Sequence, residues 1–517
     1  MDADGAGMSD EEETCGEAVR SRAAALLGEL RRLREEVDAE GRARFEAWLP
    51  HMRRRAYRLS ALNLAHYLAL RRHDLRPLQS ALMPLGLSSL GRSESRVIPT
   101  LDATAASLAC LAAMPAPRPH PGERAFFRGE RLLSSHADAL LGPPAPGHEV
   151  RIMVTLPDDA AGNPRLLRDL VTRGMDVARI NCAHGAPEDW AAMAAAVRRA
   201  AAEAGRSCRI QMDLCGPRAR TGAVAALDPE RRLGAGDRLV FTPEPPTVGP
   251  DTPFQVQLSL PEVVADLHVG HRICIDGGKI VARIVGKRPD GLLAEVVQVS
   301  GRPRRVRSGK GLNFPDSALR LSPLTGKDLR DLDTVVGLAD IIGYSFVQRP
   351  GDIERLQQEL ENRGRSPETL GLVAKIETAT AIANLPELIV AGAGRQPFGV
   401  MIARGDLAVE IGHLRLTELQ EELLWLCEAA QVPVVWATEV MSRFVRKGTP
   451  SRAEMTDAAM AQRAECVMLN KGPYLVEAIA LLDEVLTRMA GHQSKKTPRL
   501  RALRTWQAQA PGGRSVT

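Results

Sequence analysis

At 517 residues the chain has room for two to four domains, and 44% apolar content supports a sizeable core. A net charge of +5 with pI near 8.8 is too mild to argue for nucleic acid. The eight cysteines form no CxxC pair, which speaks against a disulfide framework or a zinc site, and no apolar run approaches the ~20 residues of a membrane span.

Residues 1–13 are acidic (Asp2, Asp4, Asp10, Glu11, Glu12, Glu13) and read as disordered. Such a start is unlike a signal or transit peptide, so a cytoplasmic location is expected. Residues 14–115 carry a helical pattern, with Leu59, Leu62, Leu68 and Leu70 on one apolar face. Arginines 31, 32, 34 and 53–55 read as a solvated face, so nucleic acid is not an expected partner. Residues 116–149 are rich in Pro, Gly and His and read as a linker.

From Val150 the texture changes. Short Val- and Ile-rich runs alternate with helix-length segments: 151–155, 177–180, 209–213, 340–344, 372–375, 399–403, 433–437 and 465–469. Runs of this kind predict parallel strands buried on both faces, and eight βα units predict a closed (β/α)8 barrel. Helices are expected over 187–204, 351–363, 416–430 and 474–489. One interval breaks the rhythm: residues 218–308 read as short β pieces with Gly and Pro turns. This all-β insertion follows the third strand and would sit over the barrel mouth as a lid. The barrel thus comprises 150–217 and 309–490, and 491–517 form a basic tail.

Polar residues follow the strands, at the end where such barrels do chemistry. They are Thr155; Arg179, Asn181 and His184; Asp213, Arg218 and Arg220; Ser345; Lys375 and Glu377; Asp406; Thr438; then Asn470 and Lys471. Lys375, Glu377 and Asp406 would hold a divalent cation between carboxylates and aim an ammonium at an anionic substrate. The same three would also serve as an ion pair and a helix cap. As a set, the cations and carboxylates suit a phosphorylated anion plus a metal.

The segments VARINCAHG (177–185), DLCGPRARTG (213–222), IDGGKI (275–280), GKGLNFP (309–315), VAKIE (373–377), GVMIARGDLAVEI (399–411), PVVWATEVM (433–441) and TPSRAEMTDAAMA (449–461) resemble, in order, the signatures of the pyruvate kinase family. The resemblance covers roughly 150–490 and implies phosphoryl transfer from phosphoenolpyruvate to ADP, giving pyruvate and ATP. It implies that Glu377 and Asp406 hold Mg²⁺ or Mn²⁺, that Lys375 neutralises the phosphoryl group and the enolate, and that Arg179 clamps the phosphate. Backbone N–H groups of Arg404, Gly405 and Asp406, in the turn after Ala403, would receive the substrate carboxylate, with Ser345 beside the substrate. Thr438 would sit by the carbon that accepts a proton. His184, Arg220 and Lys310 would meet the nucleotide phosphates, and lid closure would bring Asp276 toward the nucleotide's metal.

Four departures from the family pattern stand out. At the monovalent-cation site Asn181 and Asp213 remain, but Ala183 and Leu214 replace oxygen-bearing residues and Arg218 replaces a glutamate. The reading is that Arg218 supplies the charge of K⁺, so activity is expected without it. The loop after the eighth strand reads Asn470-Lys471-Gly472-Pro473 in place of SGET. The chain stops where the family's effector domain would begin, so fructose 1,6-bisphosphate allostery is expected to be absent, while barrel–barrel homodimers remain compatible. The helical N-terminal region is foreign to the usual enzyme. The alternative reading is a non-catalytic sensor of phosphoenolpyruvate or nucleotide acting through those helices.

Overall fold

The structure, a computed structural model, describes residues 6–498. Strands β1 (Arg151–Thr155), β2 (Met175–Asn181) and β3 (Arg209–Asp213) open the barrel. Strands β4 (Thr221–Ala226), β5 (Arg238–Thr242), β6 (Phe254–Leu258), β7 (Arg272–Ile275), β8 (Ile280–Arg288), β9 (Gly291–Val299) and β10 (Leu312–Asn313) build the insertion. The barrel resumes with β11 (Ile341–Tyr344), β12 (Gly371–Ile376), β13 (Phe398–Ala403), β14 (Val434–Ala437) and β15 (Cys466–Leu469). Every barrel pairing is parallel, and β15 returns to β1 to close the cylinder. The expected strands therefore all form, as sequences buried on both faces should.

The insertion is one sheet in the order β10-β7-β8-β9-β5-β6-β4. It is antiparallel except for β5 against β6, and it has its own core around Phe241, Val256, Ile273, Ala282 and Ile284. A separate core makes it a body joined to the barrel by two short crossings, as a lid requires. Its last strand reaches Asn313, beyond the expected limit at 308.

The N-terminal region packs helix Ala6–Trp48 on helices Arg58–Leu70 and Val97–Leu111. Leu27, Leu30, Val37, Leu64, Leu101 and Leu108 are buried between them and join the barrel's outer core. Helix already begins at Ala6, so of the residues expected to be disordered only 1–5 lie outside the described residues. Arg34, expected on a solvated face, pairs with Asp38 at 2.9 Å and Asp102 at 3.0 Å and ties two helices together. Asn63 fastens the bundle to the barrel, donating to Glu94 O at 2.7 Å and Ala429 O at 2.8 Å.

The expected linker at 116–149 instead contains helix Arg128–Leu141. Its apolar residues Leu133, Ala137, Leu140 and Leu141 follow the i, i+4, i+7, i+8 spacing of one helical face. Leu140 and Leu141 enter the barrel's amino-terminal end and pack with Met153, Val177, Ile341, Val373, Met401 and Val435. Gly371 and Gly399 make room: a Cβ at either would stand 2.6 Å from a Leu140 methyl carbon. Below them buried Arg151 donates to Gly142 O at 2.9 Å and Glu149 O at 2.8 Å, and pairs with Asp138.

At the other end of the chain, Gln493–Ser494 and Thr497–Pro498 form a small hairpin. Within it Lys495 pairs with Glu465 and Lys496 with Glu94. The remaining tail arginines, Arg499, Arg501, Arg504 and Arg514, lie outside the described residues. No described helix is long and apolar enough to cross a membrane.

Candidate active site

At the carboxyl ends of the strands, β2, β3 and β12 bring three charged side chains into one buried network. Arg179 donates through Nε and Nη2 to Asp213 Oδ2 at 2.9 and 2.8 Å, and through Nη1 to Thr155 Oγ1 at 2.9 Å. Gln211 Nε2 holds the other Asp213 oxygen at 2.7 Å. Lys375 Nζ lies 2.9 Å from Glu377 Oε1 and 3.6 Å from Asp213 Oδ2, and donates to Ser345 Oγ at 2.7 Å. Ser345 in turn donates to Leu214 O at 2.8 Å. Burial opposes charge on Lys375, but Glu377 and Asp213 outweigh it and hold the ammonium above the usual lysine range. Burial likewise acts against Asp213, yet Arg179 and Lys375 keep it below the usual carboxylate range. The network therefore presents a fixed positive charge beside acceptors already satisfied, which is the preorganisation that stabilises a developing anion.

Glu377 behaves differently. Its Oε2 accepts from Phe346 N at 2.7 Å, a residue in the left-handed region with φ 56°. Burial first, and the like charge of Asp406, push its carboxyl above the usual range despite Lys375. Two neighbouring carboxylates that repel fit a divalent cation, which would reverse that penalty. Among the described residues no group of three or more His, Cys, Asp or Glu ligands occurs. A cation held by Glu377 and Asp406 alone would keep positions open for substrate and water oxygens.

Helix Arg404–Ile411 starts directly after β13, which puts its first-turn N–H groups at the mouth. Gly405 N donates to Thr438 Oγ1 at 2.7 Å, and Thr438 itself is left-handed at φ 65°. Ala403 is buried and ends β13. Only the backbone of Arg404 faces the expected substrate position. Its side chain turns away, pairing with Asp457 and lying over the Trp436 ring at 4.5 Å.

The nucleotide candidates fall on two bodies. On the lid side, Arg220 bridges to the strand region at Gly311 and donates to Gly309 O at 2.9 Å. Lys310 lies 3.6 Å from Asp276, which also pairs with Lys279 at 2.8 Å. The Lys279 hydrogen bond, aided by both lysine charges, holds Asp276 below the usual carboxylate range. His184 stands exposed on the barrel rim, its carbonyl accepting from Trp190 Nε1 at 2.8 Å. Where the resemblance put a monovalent cation, Asn181 Oδ1 accepts from Ala183 N at 3.2 Å and Asp213 is consumed by Arg179 and Gln211. Arg218, itself half-exposed, pairs with Asp406 at 3.3 Å.

Sequence reasoning passed over Gln211 and Asp457. Gln211 was hidden in an apolar strand. Asp457 stood within a quoted motif, where the Ser451–Glu454 capping box already marked a helix start.

Residues 148–479 match the model of the pyruvate kinase barrel domain. A pyruvate kinase of Agrobacterium vitis is 32% identical over 341 residues, covering 65% of this chain and 68% of that protein. The human pyruvate kinase PKLR is 30% identical over 380 residues, covering 69% of this chain and 64% of that protein. A pyruvate kinase of Geobacillus stearothermophilus is 31% identical over 336 residues, covering 62% of this chain and 54% of that protein. With the closed barrel, the inserted sheet and the buried lysine–carboxylate network in the matched region, the chain belongs to the pyruvate kinase family of phosphotransferase enzymes.

Proposed function

We propose that the chain transfers the phosphoryl group of phosphoenolpyruvate to ADP, giving pyruvate and ATP. The observation that carries this reading is the Lys375 ammonium, fixed between Ser345, Glu377 and Asp213 at the barrel mouth. The enol oxygen–phosphorus bond breaks as a β-phosphate oxygen of ADP bonds to phosphorus. Lys375 stabilises the negative charge on the phosphoryl group in transfer and on the enolate that leaves, an effect on the order of 3–4 kcal/mol. Arg179, already rigid, orients the phosphate. The N–H groups at the start of helix Arg404–Ile411 receive the carboxylate. The enolate carbon then takes a proton from water beside Thr438. A divalent cation, Mg²⁺ or Mn²⁺, held by Glu377 and Asp406 supplies charge neutralisation when bound. Arg220 and Lys310 meet the nucleotide phosphates when the lid closes, with His184 on the facing rim and Asp276 on the lid.

The same reading makes activity independent of K⁺. It is supported by Arg218, whose guanidinium reaches Asp406. Insensitivity to fructose 1,6-bisphosphate is a separate part of the proposal.

The test is a lactate-dehydrogenase-coupled assay with phosphoenolpyruvate, ADP and Mg²⁺, run in K⁺ and in a bulky organic cation. Equal rates in both salts are expected, with no change on adding fructose 1,6-bisphosphate. A manyfold rise with K⁺ removes the Arg218 assignment. No turnover in either salt, with phosphoenolpyruvate still binding, favours a sensor.

A further inference from the structure

Thr438, Glu439 and Met441 have φ of 65°, 60° and 49°, and none is glycine. Each left-handed residue of this kind costs about 1–2 kcal/mol, so the surrounding structure must hold the turn. Helix Arg452–Ala461 holds it at two points one turn apart. Glu454 Oε1 accepts from the N–H groups of Arg443 and Phe444, at 2.5 and 3.4 Å, and so fixes the outgoing side. Asp457 fixes the incoming side through Arg404. Both its oxygens hold the guanidinium, with Nη2–Oδ2 at 2.8 Å, and Oδ1 also accepts from Trp436 Nε1 at 3.2 Å. Arg404 then donates to Ala437 O at 3.0 Å and Thr438 O at 2.8 Å. The carbonyls that lead into the strained turn are thus gripped by a side chain that Asp457 alone neutralises among the described residues.

We propose that Asp457 is a positioning residue: by fixing Arg404 it sets the Thr438 hydroxyl against the Gly405 N–H, and so sets where the substrate's carboxylate and its proton-accepting carbon lie. The proposal rests on the phosphoenolpyruvate reading. Asp457 acts through Arg404, to which both its oxygens are bound. The guanidinium is held by a bidentate charge-assisted pair, and a neutral partner of the same shape loosens it.

Asp457→Asn is the direct test. We expect kcat to fall about tenfold and KM for phosphoenolpyruvate to rise about tenfold, because small misplacements of reacting groups are costly. KM for ADP stays unchanged, since Arg220 and Lys310 lie on the other body. Asp457→Glu restores part of both losses. The emission of Trp436, whose ring lies under the guanidinium, shifts in Asp457→Asn, with Trp436→Phe as the control that identifies the signal. Unchanged kcat and KM for phosphoenolpyruvate overturn the proposal. So does an equal rise in both KM values, which is what general loosening produces. If Asp457→Asn does not fold, Asp457→Glu, which keeps the charge but displaces it, must show the same split at smaller size, and no split overturns the proposal. If the wild-type enzyme shows no turnover, the reaction reading fails. Calorimetric affinity for phosphoenolpyruvate then decides positioning: tenfold weaker binding in Asp457→Asn supports it and equal binding overturns it.

Discussion

The two ends of the barrel bury charge in opposite ways. At the amino-terminal end, Arg151 is 2% exposed and shares its protons among two carbonyls and Asp138 beneath an apolar plug. Its charge is fully spent on neighbours. At the carboxyl end Lys375, Glu377 and Asp213 are also buried, but Glu377 is left poorly compensated and the turns beside it are left-handed. At the mouth, uncompensated charge and local strain coincide where a ligand would relieve them.

The largest effect expected tests the mouth. Lys375→Met should lower turnover by about 10²–10³-fold, the equivalent of ~3–4 kcal/mol. Its thermal midpoint should change little, because Glu377 can take a proton once the ammonium is gone. A large loss of stability instead would make Lys375 a structural residue like Arg151. The floor should show the converse. Leu140→Ala is expected to cost about 2–4 kcal/mol in denaturant unfolding, with kcat per folded molecule unchanged. A fall in kcat would show that the two ends are coupled.

A third test is pH. Burial pushes the Asp176 carboxyl, near the start of β2, from 3.8 to about 6. The folded state therefore holds a proton more tightly than the unfolded chain, and the stability this gives is present below the unfolded value and lost as pH rises through the folded one. Between about pH 4 and 6 wild type should lose on the order of 2 kcal/mol that Asp176→Asn does not lose. Denaturant midpoints across that range decide it, and parallel curves would rule Asp176 out. The smallest effect belongs to Lys471, which reaches both oxygens of Asp158 at 2.8 Å on the mouth rim. The pair is 41% and 69% exposed, so Lys471→Ala should cost under about 1 kcal/mol. A larger loss would mean that this altered loop is part of the frame.

The barrel strands were legible because burial on both faces forces continuous apolar runs, and the polar residues that end them were legible by position. Helix Arg128–Leu141 was not, although Leu133, Ala137, Leu140 and Leu141 lie at helical spacing: the Pro- and Gly-rich flanks outweighed a short stripe. Arg404 shows the limit at the site. Its place after β13 pointed to substrate, but only the fold shows that Asp457, far along the chain, captures the guanidinium. Arg218 was likewise placed by analogy at a monovalent-cation position, and its contact with Asp406 depends on how the chain crosses toward the lid.

The helix that stops the barrel floor also decides where this protein can be divided. Family likeness begins at residue 148, yet Leu140 and Leu141, which fill the notch left by Gly371 and Gly399, lie before it. A fragment trimmed to the likeness would open a wet hole under Met153, Val177 and Val435 and strip Arg151 of Asp138 and Gly142. The smallest autonomous unit is therefore larger than the catalytic module, and it includes the segment that looks most dispensable on paper.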